Sequence, residues 1–291
     1  MDGHSGEKIE VGLKKILSAH GYGFHYAVLR KAKELYDQRK SKWAFEVAEY
    51  PVTVRGVDTR IDFILRAQDD TIPVYWDCFL VAECKRVNPA LSDWCFVRTP
   101  YVRRNHKEMV IAEKLTFADS RPPVSFGQPL FSDLEHTYHL GFEIRSGEKG
   151  EIGGKGRGQI EDAATQVSKG LNGIVEEFYR HGAGFSRKAP SIHFMPVIFT
   201  SAQVWTSEIA LAEADLKTGE FSLTDIHAER RGWVWLQYHI SPGIKHTIDS
   251  SDKMPKGLGE VLAQDYIRTI AVVSVAGIEE FLGIDWSMFL Q

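Results

Sequence analysis

Cysteine is scarce in this chain of 291 residues, and its scarcity argues against two kinds of protein. The three cysteines are Cys78, Cys84 and Cys95, and no two of them form a CxxC pair. Secreted domains with a disulfide framework carry many paired cysteines, and structural zinc sites commonly use CxxC pairs. The first residues also lack a basic segment followed by an apolar run, so no signal peptide is predicted. We therefore expect a reducing compartment and a cytoplasmic location.

Long apolar runs and an excess of positive charge are also missing. The longest apolar stretch near the C-terminus, residues 270–278, is too short to span a bilayer, so no membrane partner is expected. The formal net charge is -4 at pH 7. This value excludes a protein that coats nucleic acid through bulk positive charge. Any contact with nucleic acid must therefore come from a local basic patch.

The patterning of the chain is that of an ordinary globular protein, with 43% hydrophobic and 25% charged residues. Helical spacing of apolar residues predicts helices at about 9–17, 26–40, 159–180 and 258–281. Alternating and β-branched residues predict strands at about 43–54, 59–66, 74–87, 193–202 and 232–240. The region 88–158 contains several prolines and is expected to be a loop-rich insertion. The predicted fold is α/β, a single domain over 1–291 with a central mixed β-sheet flanked by helices.

Three charged residues interrupt predicted strands that otherwise have a buried character. Asp62 lies in the second predicted strand, and Glu83 and Lys85 lie in the third. Side chains alternate along a strand, so Glu83 and Lys85 are expected to share one face. Asp62 is expected to point away from Ile61 and Phe63, which both favour the core. Charged groups in such positions are costly unless they are paired or bound to metal.

Two carboxylates and a lysine suit the hydrolysis of a phosphodiester bond. Mg²⁺ prefers oxygen ligands such as carboxylates. A bound metal lowers the pKa of its water and neutralises charge on the scissile phosphate. A lysine can orient that water and stabilise the transition state. We therefore hypothesise that Asp62, Glu83 and Lys85 form a metal-dependent nuclease site, the alternative being surface charges or a structural ion pair.

The order of these residues resembles the PD-(D/E)XK nuclease superfamily, whose fold is called restriction-endonuclease-like. Asp62 on one strand is followed by Glu83-Cys84-Lys85 on the next, and the resemblance covers about residues 7–87 and the helix near Gln166. It implies a restriction-endonuclease-like core and Mg²⁺ as cofactor, with Mn²⁺ as a possible substitute. It further implies that Asp62, Glu83 and the backbone carbonyl of Cys84 bind the metal, and that Lys85 is catalytic.

Many members of this superfamily add an upstream acid and a downstream glutamine. Glu49 is the predicted acid and Glu46 is its rival; strand alternation places them on opposite faces, so at most one reaches the site. Gln166 borders the apolar face of the helix predicted over 159–180 and is the predicted glutamine, with Gln159 on nearly the same side. The alternatives are an exposed strand glutamate and a solvated helix glutamine.

Two basic segments are candidates for binding the nucleic-acid backbone. One contains Arg103, Arg104 and Lys107, and the other, which is rich in glycine, contains Lys155 and Arg157. Side chains of this kind contact phosphates. The alternative is a solvated charged surface.

The residues and the resemblance together predict a Mg²⁺-dependent endonuclease or exonuclease acting on nucleic acid. DNA is favoured over RNA because the superfamily is mostly directed at DNA. A role in restriction or phage defence is suggested by analogy alone. The competing hypothesis is a catalytically inactive nuclease-like fold that binds nucleic acid or protein. Whether the chain forms a homo-oligomer is left open.

Overall fold

The computed structural model describes ten segments of the chain. They are residues 21–69, 76–89, 92–99, 109–118, 121–130, 136–143, 158–181, 191–221, 227–240 and 267–286. The helix predicted over 9–17 lies outside the described residues. None of the helices within the described ranges has the length and apolar character of a membrane-spanning segment.

The described elements alternate between strands and a small number of helices. The helices are α1 (Tyr22–Asp37), α2 (Gln159–His181), α3 (Ile278–Gly283) and two 3₁₀ turns, Leu211–Glu213 and Val275–Gly277. The strands are β1 (Ala44–Val54), β2 (Val57–Asp69), β3 (Trp76–Lys85), β4 (Asp93–Val97), β5 (Met109–Ala118), β6 (Arg121–Leu130), β7 (Thr137–Tyr138), β8 (Leu140–Glu143), β9 (Ser191–Thr200), β10 (Gln203–Ser207), β11 (Ala228–Arg231), β12 (Trp233–His239) and β13 (Ile267–Ser274).

The main sheet is mixed, which confirms the predicted α/β class. Its strands run in the order β1-β2-β3-β9-β13-β12-β7, with β5 also paired to β9 and β6 paired to β5. The first three strands form an antiparallel meander, whereas β3, β9 and β13 are parallel neighbours. A second sheet has the order β11-β10-β4-β8.

Helices cover both faces of the β1-β2-β3 meander. Phe63 and Leu80 pack with residues of α1 and α3 in one core. Ile64 and Val81 pack with residues of α2 in another core on the opposite face. The meander is therefore a buried layer, and a polar side chain within it needs a partner or an opening at the edge of a helix.

The C-terminal part of the chain differs from the prediction. A helix was expected over 258–281, but the described residues of this range form strand β13, a 3₁₀ turn and the start of α3. Ile270, Val272 and Val273 are fully buried in β13, which lies between β9 and β12. Such a run of β-branched residues, buried on both faces, is typical of a central strand and lacks the one-sided pattern of a surface helix.

The region 88–158 was expected to be rich in loops, but its described parts are mostly strands. Strands β5 and β7 join the main sheet, while β4 and β8 belong to the second sheet. Three of the prolines that suggested loops lie in β6, which pairs with β5 alone among the described strands. An edge strand tolerates proline because half of its backbone N–H groups need no partner in the sheet.

Glycines seat α2 close against the meander. A Cβ atom at Gly173 would lie 2.7 Å from the Cβ of Val52, and one at Gly170 would lie 2.8 Å from the Cγ1 of Ile61. These distances are shorter than ordinary packing contacts, so the absence of side chains at the two positions sets the depth of the helix. The same seating fixes the position of Gln166, one turn before Gly170 on the helix.

Replacing Gly173 by alanine should therefore lower the free energy of unfolding. We expect a loss of about 1–3 kcal/mol in Gly173→Ala, because the new methyl group meets a rigid β-branched residue. Chemical denaturation measures the change. Gly23→Ala is the matched control: a Cβ there meets nothing within 4 Å, so it should be neutral or slightly stabilising. Equal stabilities of the two variants would contradict the account of how α2 is seated.

Candidate functional site

Asp62 and Glu83 lie on neighbouring strands, just beyond their last paired residues. The antiparallel pairing of β2 and β3 runs as far as Phe63 and Ala82, and Asp62 and Glu83 are the residues that follow directly on the two strands. One carboxylate oxygen of Asp62 accepts a hydrogen bond of 2.6 Å from the backbone N–H of Cys84. The Asp62 side chain is thereby fixed to the strand that carries Glu83.

The strand β2 changes its packing at Asp62. Ile61 and Phe63 were expected on the same face, but Ile61 packs in the core against α2 and Phe63 packs in the core against α1. Residues two apart in a regular strand share a face, so the backbone is irregular at this point. The irregularity leaves Asp62 half-buried between the two cores.

Strand β1 is irregular at the position facing Asp62. Its register pairs Ala48 with Phe63 and Tyr50 with Ile61, which leaves Glu49 facing Asp62 between these pairs. Glu49 has a φ of 53°, in the left-handed region that residues other than glycine rarely adopt. Such strain is often found at functional sites.

The two candidates for the additional acid lie in different surroundings. Glu49 is beside Asp62, whereas Glu46 has a half-exposed side chain whose carboxylate is 3.9 Å from Nη1 of Arg66. The electrostatic influence of Glu49 also reaches Glu83. Of the two glutamates, the structure therefore brings only Glu49 to the candidate site.

Lys85 links Glu83 to helix α2. Its Nζ atom is 2.9 Å from Oε1 of Glu83 and donates a hydrogen bond to Oε1 of Gln166. Glu83 is buried, while the Lys85 side chain keeps partial exposure. The contact shows that Glu83 and Lys85 share a face, as strand alternation predicts, and that Gln166 projects toward them.

His25 is a member of this cluster that sequence reasoning missed. It lies on the inward face of α1 with Val28, Ala32 and Leu35, and it is buried. Its Nδ1 atom is 3.3 Å from Oε1 of Glu49. The helix predicted over 26–40 begins one residue too late to include it. A signal was nevertheless present, because helical spacing places position 25 on the apolar face of that helix.

The donor set around Glu49 fits a divalent cation. His25, Glu49 and Asp62 each offer one ligand atom, and these atoms lie within 4.8 Å of one another. Nε2 of His25 and Oε1 of Glu49 are buried and have no hydrogen-bond partner among the described residues. Buried polar atoms are normally satisfied, so atoms of this kind are candidates for ligation. This set shares Asp62 with the one that the resemblance implies, while the metal-binding roles of Glu83 and the Cys84 carbonyl remain predictions.

The carboxylates resist ionisation in this environment. Burial and the charge of Asp62 raise the pKa of Glu83 to about 7, although Lys85 acts in the opposite direction. Burial also raises the pKa of Asp62, against the effects of the Cys84 N–H, His25 and Lys85. Buried acids that repel one another favour either a bound proton or a bound cation.

Comparison of the chain with protein-family models, curated proteins and solved structures yields no match. The basic residues predicted to contact nucleic acid, which are Arg103, Arg104, Lys107, Lys155 and Arg157, lie outside the described residues.

The pKa of Glu83 should respond in opposite directions to two substitutions. Asp62→Asn removes the charge that raises this pKa, so the pKa should fall, whereas Lys85→Met removes the charge that lowers it, so the pKa should rise. We expect changes of about one unit in the metal-free protein. Titration of the ¹³C-labelled glutamate carboxyl groups by NMR, in the presence of EDTA, measures them.

Glu46→Gln is the control for this titration, since Glu46 belongs to the surroundings of Arg66. It should leave the titration of Glu83 unchanged. If Asp62→Asn and Lys85→Met shift the pKa in the same direction, the described electrostatics of the cluster are wrong.

Proposed function

We propose that this protein is a metal-dependent nuclease that hydrolyses phosphodiester bonds of nucleic acid. The observation that carries the proposal is the convergence of acids from three neighbouring strands beside a lysine that is fixed on both sides. The residues of the proposed site are His25, Glu49, Asp62, Glu83, Lys85 and Gln166.

In this proposal, the side of the site that faces α1 holds the cation. His25, Glu49 and Asp62 supply ligand atoms, and Glu83 adds a further carboxylate beside them. Carboxylate oxygens suit Mg²⁺ and Mn²⁺, and Mn²⁺ also accepts an imidazole nitrogen. When bound, such an ion neutralises charge on the phosphate and lowers the pKa of a coordinated water.

The side that faces α2 holds the lysine in the proposed site. Glu83 and Gln166 both contact Nζ of Lys85, so the ammonium group has a restricted position. A lysine held in this way can orient an attacking water and donate a hydrogen bond to a phosphate oxygen as negative charge develops. A donor that is already held in position lowers the activation free energy more than a mobile one, because it does not have to reorganise during the reaction.

The architecture around the site supports a restriction-endonuclease-like core. The antiparallel meander β1-β2-β3 continues into parallel β9, and α1 and α2 cover opposite faces of it. DNA is the favoured substrate, and a role in restriction or phage defence is part of the proposal by analogy with the superfamily.

A cleavage assay tests the proposed function. We expect degradation of circular DNA, linear DNA or RNA with Mg²⁺ or Mn²⁺, and none with EDTA. Asp62→Asn, Glu83→Gln and Lys85→Met should each lower the rate by about 10²-fold or more. Each substitution removes a charged side chain that would stabilise the transition state, either directly or through the metal. Glu46→Gln is the matched control and should retain activity. Absence of metal-dependent cleavage, or cleavage that survives Asp62→Asn and Lys85→Met, would refute the proposal.

Metal binding can be measured independently of cleavage. Titration with Mn²⁺ should stabilise the folded protein and so raise its Tm; at 100 times the Kd, the gain in free energy of unfolding is about 2.7 kcal/mol. Asp62→Asn and Glu49→Gln should weaken this effect, because they remove negative ligand atoms, whereas Glu46→Gln should not. Isothermal titration calorimetry checks the affinities. The same Mn²⁺ response in Glu49→Gln and Glu46→Gln would show that the ion is held elsewhere.

A further inference from the structure

Two tyrosines are exposed on α1 beside the proposed metal ligands. Tyr22 and Tyr26 each have 54% of their surface exposed. They are four residues apart, so they lie on the same side of the helix, one turn after the other. Two large aromatic rings exposed side by side at a candidate active site are more consistent with a ligand-binding surface than isolated exposed rings would be.

The Tyr26 ring is in direct contact with the candidate site. It stacks on the ring of His25, with a distance of 4.9 Å between the centroids and an angle of 8° between the planes. His25 in turn approaches Glu49. A flat molecule that stacks on the outer face of Tyr26 would therefore lie immediately beside the proposed centre.

Positive charge continues the line of the tyrosines along α1. At about 100° per residue, positions 22, 26, 30 and 33 fall within an arc of about 80°. The side chains of Arg30 and Lys33 are 78% and 70% exposed, and they pair with Glu34 and Asp37 one turn further along. Exposed ion pairs of this kind contribute little to stability, so a phosphate can take the place of the carboxylate beside each cation.

We propose that this aromatic and cationic stripe, formed by Tyr22, Tyr26, Arg30 and Lys33, binds single-stranded nucleic acid and leads it to the site. The inference rests on the proposed function and specifies its substrate class. Aromatic side chains stack on the faces of bases, and these faces are accessible only in unpaired nucleotides. In an intact duplex the base faces are stacked inside, so only the phosphates could contact the stripe. The stripe extends over about 16 Å of helix, enough for several contacts with an extended strand.

Binding without cleavage tests this inference. Fluorescence anisotropy in EDTA compares a labelled single-stranded DNA, a single-stranded RNA of the same sequence and the corresponding duplex. We expect at least one single strand to bind more tightly than the duplex. Tyr22→Ala and Tyr26→Ala should each weaken that binding by about 5- to 150-fold, the range found when an aromatic side chain that stacks on one base is replaced by alanine. Tyr26→Phe keeps the ring and should retain the affinity.

Phe142→Ala is the matched control. Phe142 is an aromatic residue with a similar exposure of 48%, but it lies on β8 in the second sheet and not on α1. Its substitution should leave binding unchanged. Arg30→Gln combined with Lys33→Gln should reduce the slope of log affinity against log salt by about 1.4, since each single-strand phosphate contact contributes about 0.7.

The outcomes separate this inference from the proposed function. Equal or tighter binding of the duplex, or equal affinities of Tyr22→Ala, Tyr26→Ala and Phe142→Ala, would overturn the inference, even if the protein cleaves nucleic acid with metal. Binding that depends on the tyrosines but is never followed by metal-dependent cleavage would support the binding surface and refute the nuclease.

Discussion

Repulsion among acidic side chains is the constraint on which the arrangement of this molecule depends. Glu49, Asp62 and Glu83 lie on three neighbouring strands. Helices α1 and α2 cover the two faces of this layer, so repulsion between the like charges is poorly screened. Each element around them offsets part of the cost. Strand β3 contributes the Cys84 N–H and Lys85, helix α1 contributes His25, and helix α2 contributes Gln166. The cluster therefore depends on the whole layered architecture and cannot be attributed to the meander alone.

The backbone near the cluster also departs from regular strand geometry. Glu49 adopts a left-handed φ, and β2 exchanges its two faces around Asp62. A regular hairpin would contain no left-handed residue at Glu49, but strict alternation would then put Ile61 and Phe63 on one face and Asp62 on the other. The surrounding structure holds the strained conformation, since Val52 and Ile61 on either side are in close contact with glycines of α2. Backbone strain of this kind is found most often at functional sites, which is why it supports the proposed one.

The sequence predicted the parts of the site that depend on local alternation, and it could not predict those that depend on backbone irregularity. Glu83 and Lys85 share a face because they are two residues apart on a strand, and the structure confirms this. The register that brings Asp62 close to Glu83 depends on pairing between strands, which composition does not fix. The choice of Glu49 over Glu46 depends on the left-handed backbone of Glu49 itself, and a glutamate side chain does not predict that conformation. The error at 258–281 had a different cause, because a run of apolar residues without clear periodicity fits a buried strand as well as a helix.

Helix α1 gives the site both an inner and an outer surface. Adjacent residues on a helix point about 100° apart, so His25 faces the carboxylates while Tyr26 faces solvent, and the stacked rings join the two environments. In the proposed enzyme, the same turn of helix would therefore hold the metal through one residue and the substrate through the next. A base stacked on Tyr26 would then lie close to the metal ligands. A shift of α1 would alter substrate binding and metal geometry together. The ion pair of Lys31 with Glu279 connects this helix to α3, and Lys40, just beyond the end of the helix, pairs with the same carboxylate. The buried residues of both helices share one core. Packing of α3 thus supports the position of α1 at the proposed site.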